Sequence, residues 1–277
     1  MKVSVITINR NNLDGLKKTV ESVLSQTWKE FEYILVDGDS SDGSREYLKA
    51  NESHFTYWIS EPDNGVFQAM NKGIRMAKGD YFLFLNSGDY FVGSHVLEQV
   101  FSKYRDADLL LGQCNIMKNG EKIFLLDTPV DFTLLCLYQG SLPHQGIFIS
   151  KTLFEKYGLY REDLRYMSDW EFFLRVMIMH NATRDYLSFP IADYNTDGMS
   201  SNPDNWLAME AEKRKVYSES CLQYVIPDYE MWKQDQHEKA AMLWIWKKPV
   251  FQKMIKGCYN IAGKMTNLKK KKRKSNI

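Results

Sequence analysis

Three polar clusters in this chain combine residue types that could bind a phosphorylated ligand or move a proton. The first is Asp37-Gly38-Asp39-Ser40-Ser41-Asp42-Gly43. Asp, Ser and Gly favour turns and helix N-caps, so by itself the segment reads as a turn that caps the next helix. Its carboxylates also suit base N–H groups and ribose hydroxyls, which donate hydrogen bonds to them, better than they suit phosphates. The second cluster is Asn86-Ser87-Gly88-Asp89, either a strand-end turn or a polar shelf for ribose and a hard divalent cation. With one carboxylate there, a diphosphate and water would have to complete any metal shell. The third is Ser168-Asp169-Trp170-Glu171 at a helix start, where Asp169 is either an N-terminal capping carboxylate or a general base facing a cleft. Pro143-His144-Gln145-Gly146 adds a possible polar hand to substrate or metal, against the commoner structural role of a lone His.

The elements that must position these clusters follow from periodicity. Val3 to Ile8 is a β-branched run suited to a buried strand, and Leu13, Leu16, Val20, Val23 and Leu24 fall at helical spacing. Strands are expected again at 33–36, 56–59 and 81–85, with a helix through Val66, Met70 and Ile74 that stops at Gly79. Such alternation implies a largely parallel sheet flanked by helices, an α/β fold that binds ligands beyond the carboxyl ends of its strands. Residues 9–12, 37–43 and 86–89 all fall at those ends. Further strands are expected at 107–112, 122–126, 146–150 and 183–189, and a helix at 169–179. From Asn205 the chain reads as helical with breaks at Pro227 and Pro249.

At 277 residues with 44% hydrophobic and 26% charged residues, the chain has an ordinary globular composition. Its four cysteines form no CxxC pair, which points to reduced thiols and away from redox or zinc roles. No signal-peptide pattern opens the sequence and no run of eighteen apolar residues occurs, so a cytoplasmic protein without a membrane span is expected. The net charge of +1 hides an asymmetry. Residues 239–277 hold 12 Lys and Arg and no acid, which leaves 24 basic against 35 acidic residues, a net −11, in 1–238. Trp244, Trp246, Phe251 and Tyr259 interleave with cations before Lys269-Lys270-Lys271-Lys272-Arg273-Lys274. That pattern is either a solvated tail or an interfacial contact with anionic lipid through 244–274, with nucleic acid the weaker alternative.

In order and spacing, these segments resemble family 2 glycosyltransferases. The resemblance rests on Val3-Ser4-Val5-Ile6-Thr7-Ile8-Asn9, on Ser22-Val23-Leu24-Ser25-Gln26-Thr27 and on the 37–43 cluster. It continues through Glu61-Pro62-Asp63-Asn64-Gly65, Ala69-Met70-Asn71-Lys72-Gly73-Ile74, Ala77-Lys78-Gly79-Asp80-Tyr81 and Leu85-Asn86-Ser87-Gly88-Asp89. His144-Gln145 and Ser168-Asp169 fall where acceptor-side motifs are expected. The resemblance covers roughly residues 1–200.

It implies a GT-A fold over 1–204, a helical basic extension over 205–277, and inverting transfer from a nucleotide-diphospho-sugar, most commonly a UDP-sugar. The acceptor would be a hydroxyl of a glycan or lipid-linked glycan in surface polysaccharide assembly, at the inner face of the cytoplasmic membrane. Thr7, Asn9, Arg10 and Asp37 would surround base and ribose, with Asp39, Asn71, Lys72, Asn86 and Asp89 on the donor side. Asp169 matches the catalytic base, Asp89 the ligand of a Mg²⁺ or Mn²⁺ ion, and His144, Gln145 and Ser200 the acceptor or diphosphate side. The loop Tyr194 to Ser201 would close over the diphosphate. Two departures stand out. Gly38 replaces the second acid of the family loop, and Asn86-Ser87-Gly88-Asp89 replaces the usual DxD. A catalytically degenerate nucleotide-sugar binder or membrane scaffold is the alternative. A dehydrogenase is disfavoured because no G-x-G-x-x-G follows the first strand.

Overall fold

The computed structural model describes residues 2–130 and 132–246. The chain divides into two compact units, the first ending at Val216 and the second beginning at Tyr217.

The first unit opens with β1 (Val3–Asn9), α1 (Leu13–Leu24), β2 (Phe31–Asp37), α2 (Ser44–Ala50) and β3 (Tyr57–Ser60). α3 (Val66–Met76), β4 (Tyr81–Phe84), β5 (Tyr90–Phe91) and α4 (Val96–Phe101) follow. All seven residues of β1 are buried, because β2 and β4 both pair with it in parallel. An apolar, β-branched run is the sequence signature of such a central strand. β3 continues the parallel half beyond β2, so the order is β3-β2-β1-β4.

The other half of the sheet is mixed. β6 (Leu109–Lys118) and β7 (Glu121–Leu126) form a hairpin, followed by α5 (Leu134–Gln139), β8 (Ile147–Ser150) and α6 (Lys151–Tyr157). β8 runs antiparallel to both β4 and β6, while β9 (Arg184–Asn195) lies parallel to β6. The parallel sheet expected from the sequence is thus realised over its first four strands. The later strands, separated by short or irregular links, turn back on one another. β6 and β9 also run longer than their apolar segments, because their polar ends pair with each other from Asn115 to Met117.

The helix expected at 169–179 is α7 (Ser168–Phe173), extended by a π-helical turn over Leu174–Met179. Trp170, Phe172 and Phe173 are fully buried, and the Trp170 indole N–H donates to the Leu137 carbonyl at 2.9 Å. Phe172 stacks on Phe154 with ring centroids 4.5 Å apart and meets Tyr160 edge-on at 5.3 Å. Aromatic pairs of this kind contribute about 0.5–1.5 kcal/mol each beyond their buried area. They pin α7 and so fix the direction of Asp169. The first unit ends within α8 (Trp206–Ser218), whose last two residues belong to the second.

In the second unit α9 (Ile226–Trp246) carries Pro227 in its first turn. Proline is tolerated there because the missing N–H would have had no helical partner, so Pro227 starts a helix and does not break one. Pro249, Cys258 and the basic residues from Lys247 onward lie outside the described residues. Cys114, Cys136 and Cys221 are free thiols. Among the described residues no helix is long and apolar enough to cross a membrane.

Candidate active site

Three adjoining cavities lie beside one another, the two larger ones at the carboxyl ends of β1 and β4. The largest, about 980 Å³, is walled by Asn9, Arg10, Asp63, Asn64, Glu162 and Arg165 among others. The next, about 450 Å³, shares Asn12, Phe67, Asn86 and Arg165 with it and adds Asp89, His144 and Asp169. The third, about 170 Å³, meets the second at His144, Gln145, Tyr166, Asp169 and Tyr194. The cleft therefore has one roomy part, a polar middle and a smaller third part, with Asp169 between the middle and the smallest.

The acidic loop is a hydrogen-bonded turn, as its composition suggests. Asp37 is fully buried and accepts hydrogen bonds from Asn9 Nδ2 at 2.7 Å, Ser40 Oγ at 2.6 Å, the Ser40 N–H at 3.0 Å and Ser60 Oγ at 2.7 Å. Those bonds tie the ends of β1, β2 and β3 together and leave its oxygens committed to the protein. Asp37 therefore shapes the floor of the cleft without lining it. Asp39 is exposed with φ of 60° and also lies off the cavity wall. In its place stands Asp63, which the sequence reading quoted within a motif but did not single out. A Cβ on residue 38 would come within 2.4 Å of the Asp63 carboxylate, so the space that a side chain at 38 would fill belongs to Asp63. Asp63 is held by the Gly65 N–H at 3.0 Å and lies 3.9 Å from the Arg10 guanidinium. The Asp-x-Gly turn at 63–65 was the available signal.

Of the other expected donor residues, Thr7, Asn71 and Lys72 also point away from the cleft. The Thr7 hydroxyl donates to the Leu85 carbonyl at 2.7 Å inside the sheet. Asn71 is buried and holds Tyr160 and Glu162 in place through both ends of its amide. Lys72 pairs with Glu61 at 2.7 Å and caps the Pro62 carbonyl. All three stabilise segments that border the cavity. Asn9 and Arg10 line it directly.

At the middle of the cleft the side chains form a relay. His144 Nδ1 lies 2.9 Å from Asp169 Oδ2, and its Nε2 lies 3.3 Å from Asn86 Nδ2. With Nδ1–H donating to Asp169, the neutral imidazole accepts from Asn86 through Nε2, which fixes one tautomer. Asp169 also accepts the Trp170 N–H at 2.8 Å, so its carboxylate is oriented from two sides while remaining on the wall of two cavities. This is the geometry of an aimed carboxylate that can accept a proton.

Asp89 is buried at 5% exposure and accepts from Gln145 Nε2 and the Asn195 N–H, both at 2.9 Å. It locks the turn before β8 to the end of β9. Burial pushes its carboxyl up to about 6, against the lowering effects of Gln145, Asn195 and nearby His144. A raised carboxyl pKa means that the folded state binds the proton more tightly than the unfolded chain does. Stability is then fullest below about pH 4, falls as pH rises from there to about 6 and levels off above it. From the ordinary 3.8 to about 6 this amounts to on the order of 3 kcal/mol. In metal-free buffer, urea midpoints for wild type and Asp89→Asn should diverge by that order between about pH 4 and pH 7, wild type losing ground as pH rises. Parallel curves would show that the buried charge carries no such penalty.

As a metal site the same corner offers two hard oxygens. Asn86 Oδ1 is buried without a hydrogen-bond partner, and Asp89 lines the same cavity. Their chemistry suits Mg²⁺ or Mn²⁺. They are too few to hold it alone: among the described residues no group of three or more His, Cys, Asp or Glu is placed to bind an ion. A bound diphosphate would have to supply the remaining ligands.

Two further residues escaped sequence reading because nothing local marks them. Arg165 is exposed and lines both larger cavities, its guanidinium 5.5 Å from the Tyr166 ring centre. Glu212 on α8 accepts the backbone N–H groups of Arg165, Tyr166 and Met167 at 2.7, 2.9 and 3.0 Å. It thereby sets the segment that leads into Asp169. Glu212→Ala should cost about 1–3 kcal/mol of stability in urea unfolding, and Glu212→Gln, which keeps one acceptor oxygen, should lose less. The loop after β9 borders the middle cavity through Asn195, Asp197, Gly198 and Met199. Ser200 belongs to its turn at Met199–Ser201.

Comparison with known proteins bears on the family and the fold. The family model described as glycosyl transferase family 2 matches residues 4–146. An uncharacterized glycosyltransferase of Mycobacterium tuberculosis is 35% identical over 210 residues, covering 72% of this chain and 77% of that protein. A PGL/p-HBAD biosynthesis glycosyltransferase of Mycobacterium bovis is 29% identical over 205 residues, covering 72% and 78%. Among solved structures, residues 1–349 of S. aureus TarS in complex with UDP superpose with a TM-score of 0.59 at 21% identity, over 70% of this chain and 60% of that one. The mannosyltransferase PcManGT from Pyrobaculum calidifontis, in complex with GDP-Man and Mn²⁺, superposes with a TM-score of 0.54 at 14% identity, over 96% and 86%. At those identities the structural matches speak for the fold.

Proposed function

The chain belongs to glycosyl transferase family 2, and from that premise we propose that it moves a sugar, with inversion, from a UDP-sugar to a hydroxyl of a glycan or lipid-linked acceptor in surface polysaccharide biosynthesis. The observation that carries this reading is the Asn86–His144–Asp169 relay at the junction of the cavities. The nucleotide occupies the largest cavity, against Asn9, Arg10 and Asp63. The donor sugar lies in the middle one, and the acceptor hydroxyl approaches Asp169. UDP as the nucleotide draws support from TarS, which has been solved with UDP and with UDP-GlcNAc.

In the reaction, the acceptor oxygen attacks the anomeric carbon as the bond to the diphosphate breaks. The electron pair of that bond leaves on the diphosphate, and Asp169 takes the hydroxyl proton. His144, fixed by Asn86, holds the carboxylate in line through the Nδ1–H bond. Arg165 and Arg10 border the space that the diphosphate would occupy and offer it positive charge. A divalent cation, when bound through Asp89 and Asn86, would supply further charge to the leaving group. The loop 195–201 excludes water when the donor is in place. Catalysis centres on 1–204, with Glu212 at the start of the extension supporting the segment before Asp169. The extension 205–277 serves an accessory role, with 244–274 contacting the inner face of the cytoplasmic membrane.

The test is a panel of UDP-, GDP- and dTDP-sugars, with and without Mn²⁺, followed by release of free nucleotide. Release from a UDP-sugar that Mn²⁺ stimulates is the expected result. Tight binding of a donor with no release, even with acceptors supplied, would instead favour a degenerate binding protein.

A further inference from the structure

The smallest of the three cavities is the most apolar of them. It measures about 170 Å³, and its walls are largely Leu126, Leu142, Pro143, Met167, Met209 and Tyr194. A volume of about 150 Å³ is enough for a benzene-sized ring. Its polar groups are already engaged. The Tyr194 hydroxyl pairs with Ser201 Oγ at 2.9 Å, the Tyr166 hydroxyl donates to Asn205 at 3.3 Å, and Gln145 donates to Asp89 at 2.9 Å. His144 has both ring nitrogens in the relay. What stays available is the Asp169 carboxylate at one end and Ser141 at the exposed rim.

A pyranose lodged here would bring a hydroxyl on nearly every carbon, and each one buried without a partner costs about 1–3 kcal/mol. An alkyl or aryl body meets no such cost and gains roughly 25 cal/mol for each Å² it hides from water. The larger cavities carry more polar groups, among them Asn9, Arg10, Asn12 and Asp63.

We propose that this cavity is the acceptor subsite and that it takes an apolar group of about one ring's size, carried next to the hydroxyl that Asp169 deprotonates. The preferred acceptor is therefore an alkyl- or aryl-bearing hydroxyl compound, and an unsubstituted sugar is a poor one. The inference rests on Asp169 as the base. The shape of the cavity stands on its own, so the two can fail separately.

Methionine methyls report on the cavity directly, because Met167 and Met209 line it while most of the 13 methionines lie elsewhere. The protein, labelled with ¹³C at the methionine methyls, is titrated with phenyl β-glucoside, with cyclohexyl β-glucoside and with glucose. The Met167 signal is assigned with Met167→Leu and the Met209 signal with Met209→Lys. Shifts at both methyls with one or both substituted glucosides, and none with glucose, are expected. Phenyl against cyclohexyl then tells an aryl from an alkyl preference. Met209→Lys, which brings a charged head to the cavity, should abolish the Met167 response while the remaining methionine spectrum shows the fold intact. Equal shifts with glucose, or no shift at either methionine with any compound, would overturn the proposal. Shifts as expected, in a protein that turns over no nucleotide sugar, would leave the cavity standing and remove the transferase reading.

Discussion

Asp169→Asn should lower kcat by about 10²–10⁴, the usual range for loss of a general base, while donor affinity stays within about twofold of wild type. The substitution is isosteric. The Trp170 N–H, 2.8 Å from Oδ1, keeps an acceptor, and the neighbouring Trp170, Phe172 and Phe173 remain buried in the same packing. What disappears is the negative oxygen facing His144 Nδ1 at 2.9 Å and, with it, a place for the acceptor's proton. Single-turnover rates together with donor titration separate the two effects. A variant that kept near-normal turnover would remove Asp169 as base. One that lost donor binding as well would show that the cavities are not divided as described.

Arg165→Ala should follow closely, with kcat lowered by about 10²–10³ through loss of charge beside the leaving diphosphate. Arg165 borders both larger cavities, so its guanidinium lies where a diphosphate linking nucleotide to sugar would pass. Its backbone N–H is held by Glu212 at 2.7 Å and its guanidinium lies 5.5 Å from the Tyr166 ring centre, so the position is set before any ligand arrives. Arg165→Lys should recover only part of the loss, since an ammonium keeps the charge but not the paired N–H fork. Steady-state kinetics across the three proteins decides the point. Equal rates for Arg165→Ala and wild type would place the leaving-group contact elsewhere, with Arg10 the next candidate on the wall.

The sequence made the first half of the fold legible because each early strand is a compact apolar run followed by helical spacing, and β1 through β4 obey that alternation. It was less informative for β6 and β9. Their distal halves carry Asn115, Asp193 and Asn195, which pair across strands and leave no apolar signature. Asn9, Arg10, Asn86, Asp89, His144 and Asp169 were picked from motifs and do line the cleft. Asp37 shows the limit of that method. Its place at a strand end is right, yet four hydrogen bonds from Asn9, Ser40 and Ser60 turn it into the anchor of the loop. Asp63 took the place on the cavity wall beside Gly38, twenty-five residues earlier in sequence, a proximity that no local pattern encodes. Arg165 and Glu212 are likewise joined across 47 residues, so neither was visible without the fold.

Real-time ¹H NMR of the anomeric proton, with an α-linked UDP-sugar and water or an alkyl-bearing acceptor, tests the central claim in one tube. The β-configured product should form first, before any mutarotation, together with UDP, and both signals should be absent with Asp169→Asn. An α-configured first product, or unchanged product formation by Asp169→Asn, would contradict inverting transfer by this site.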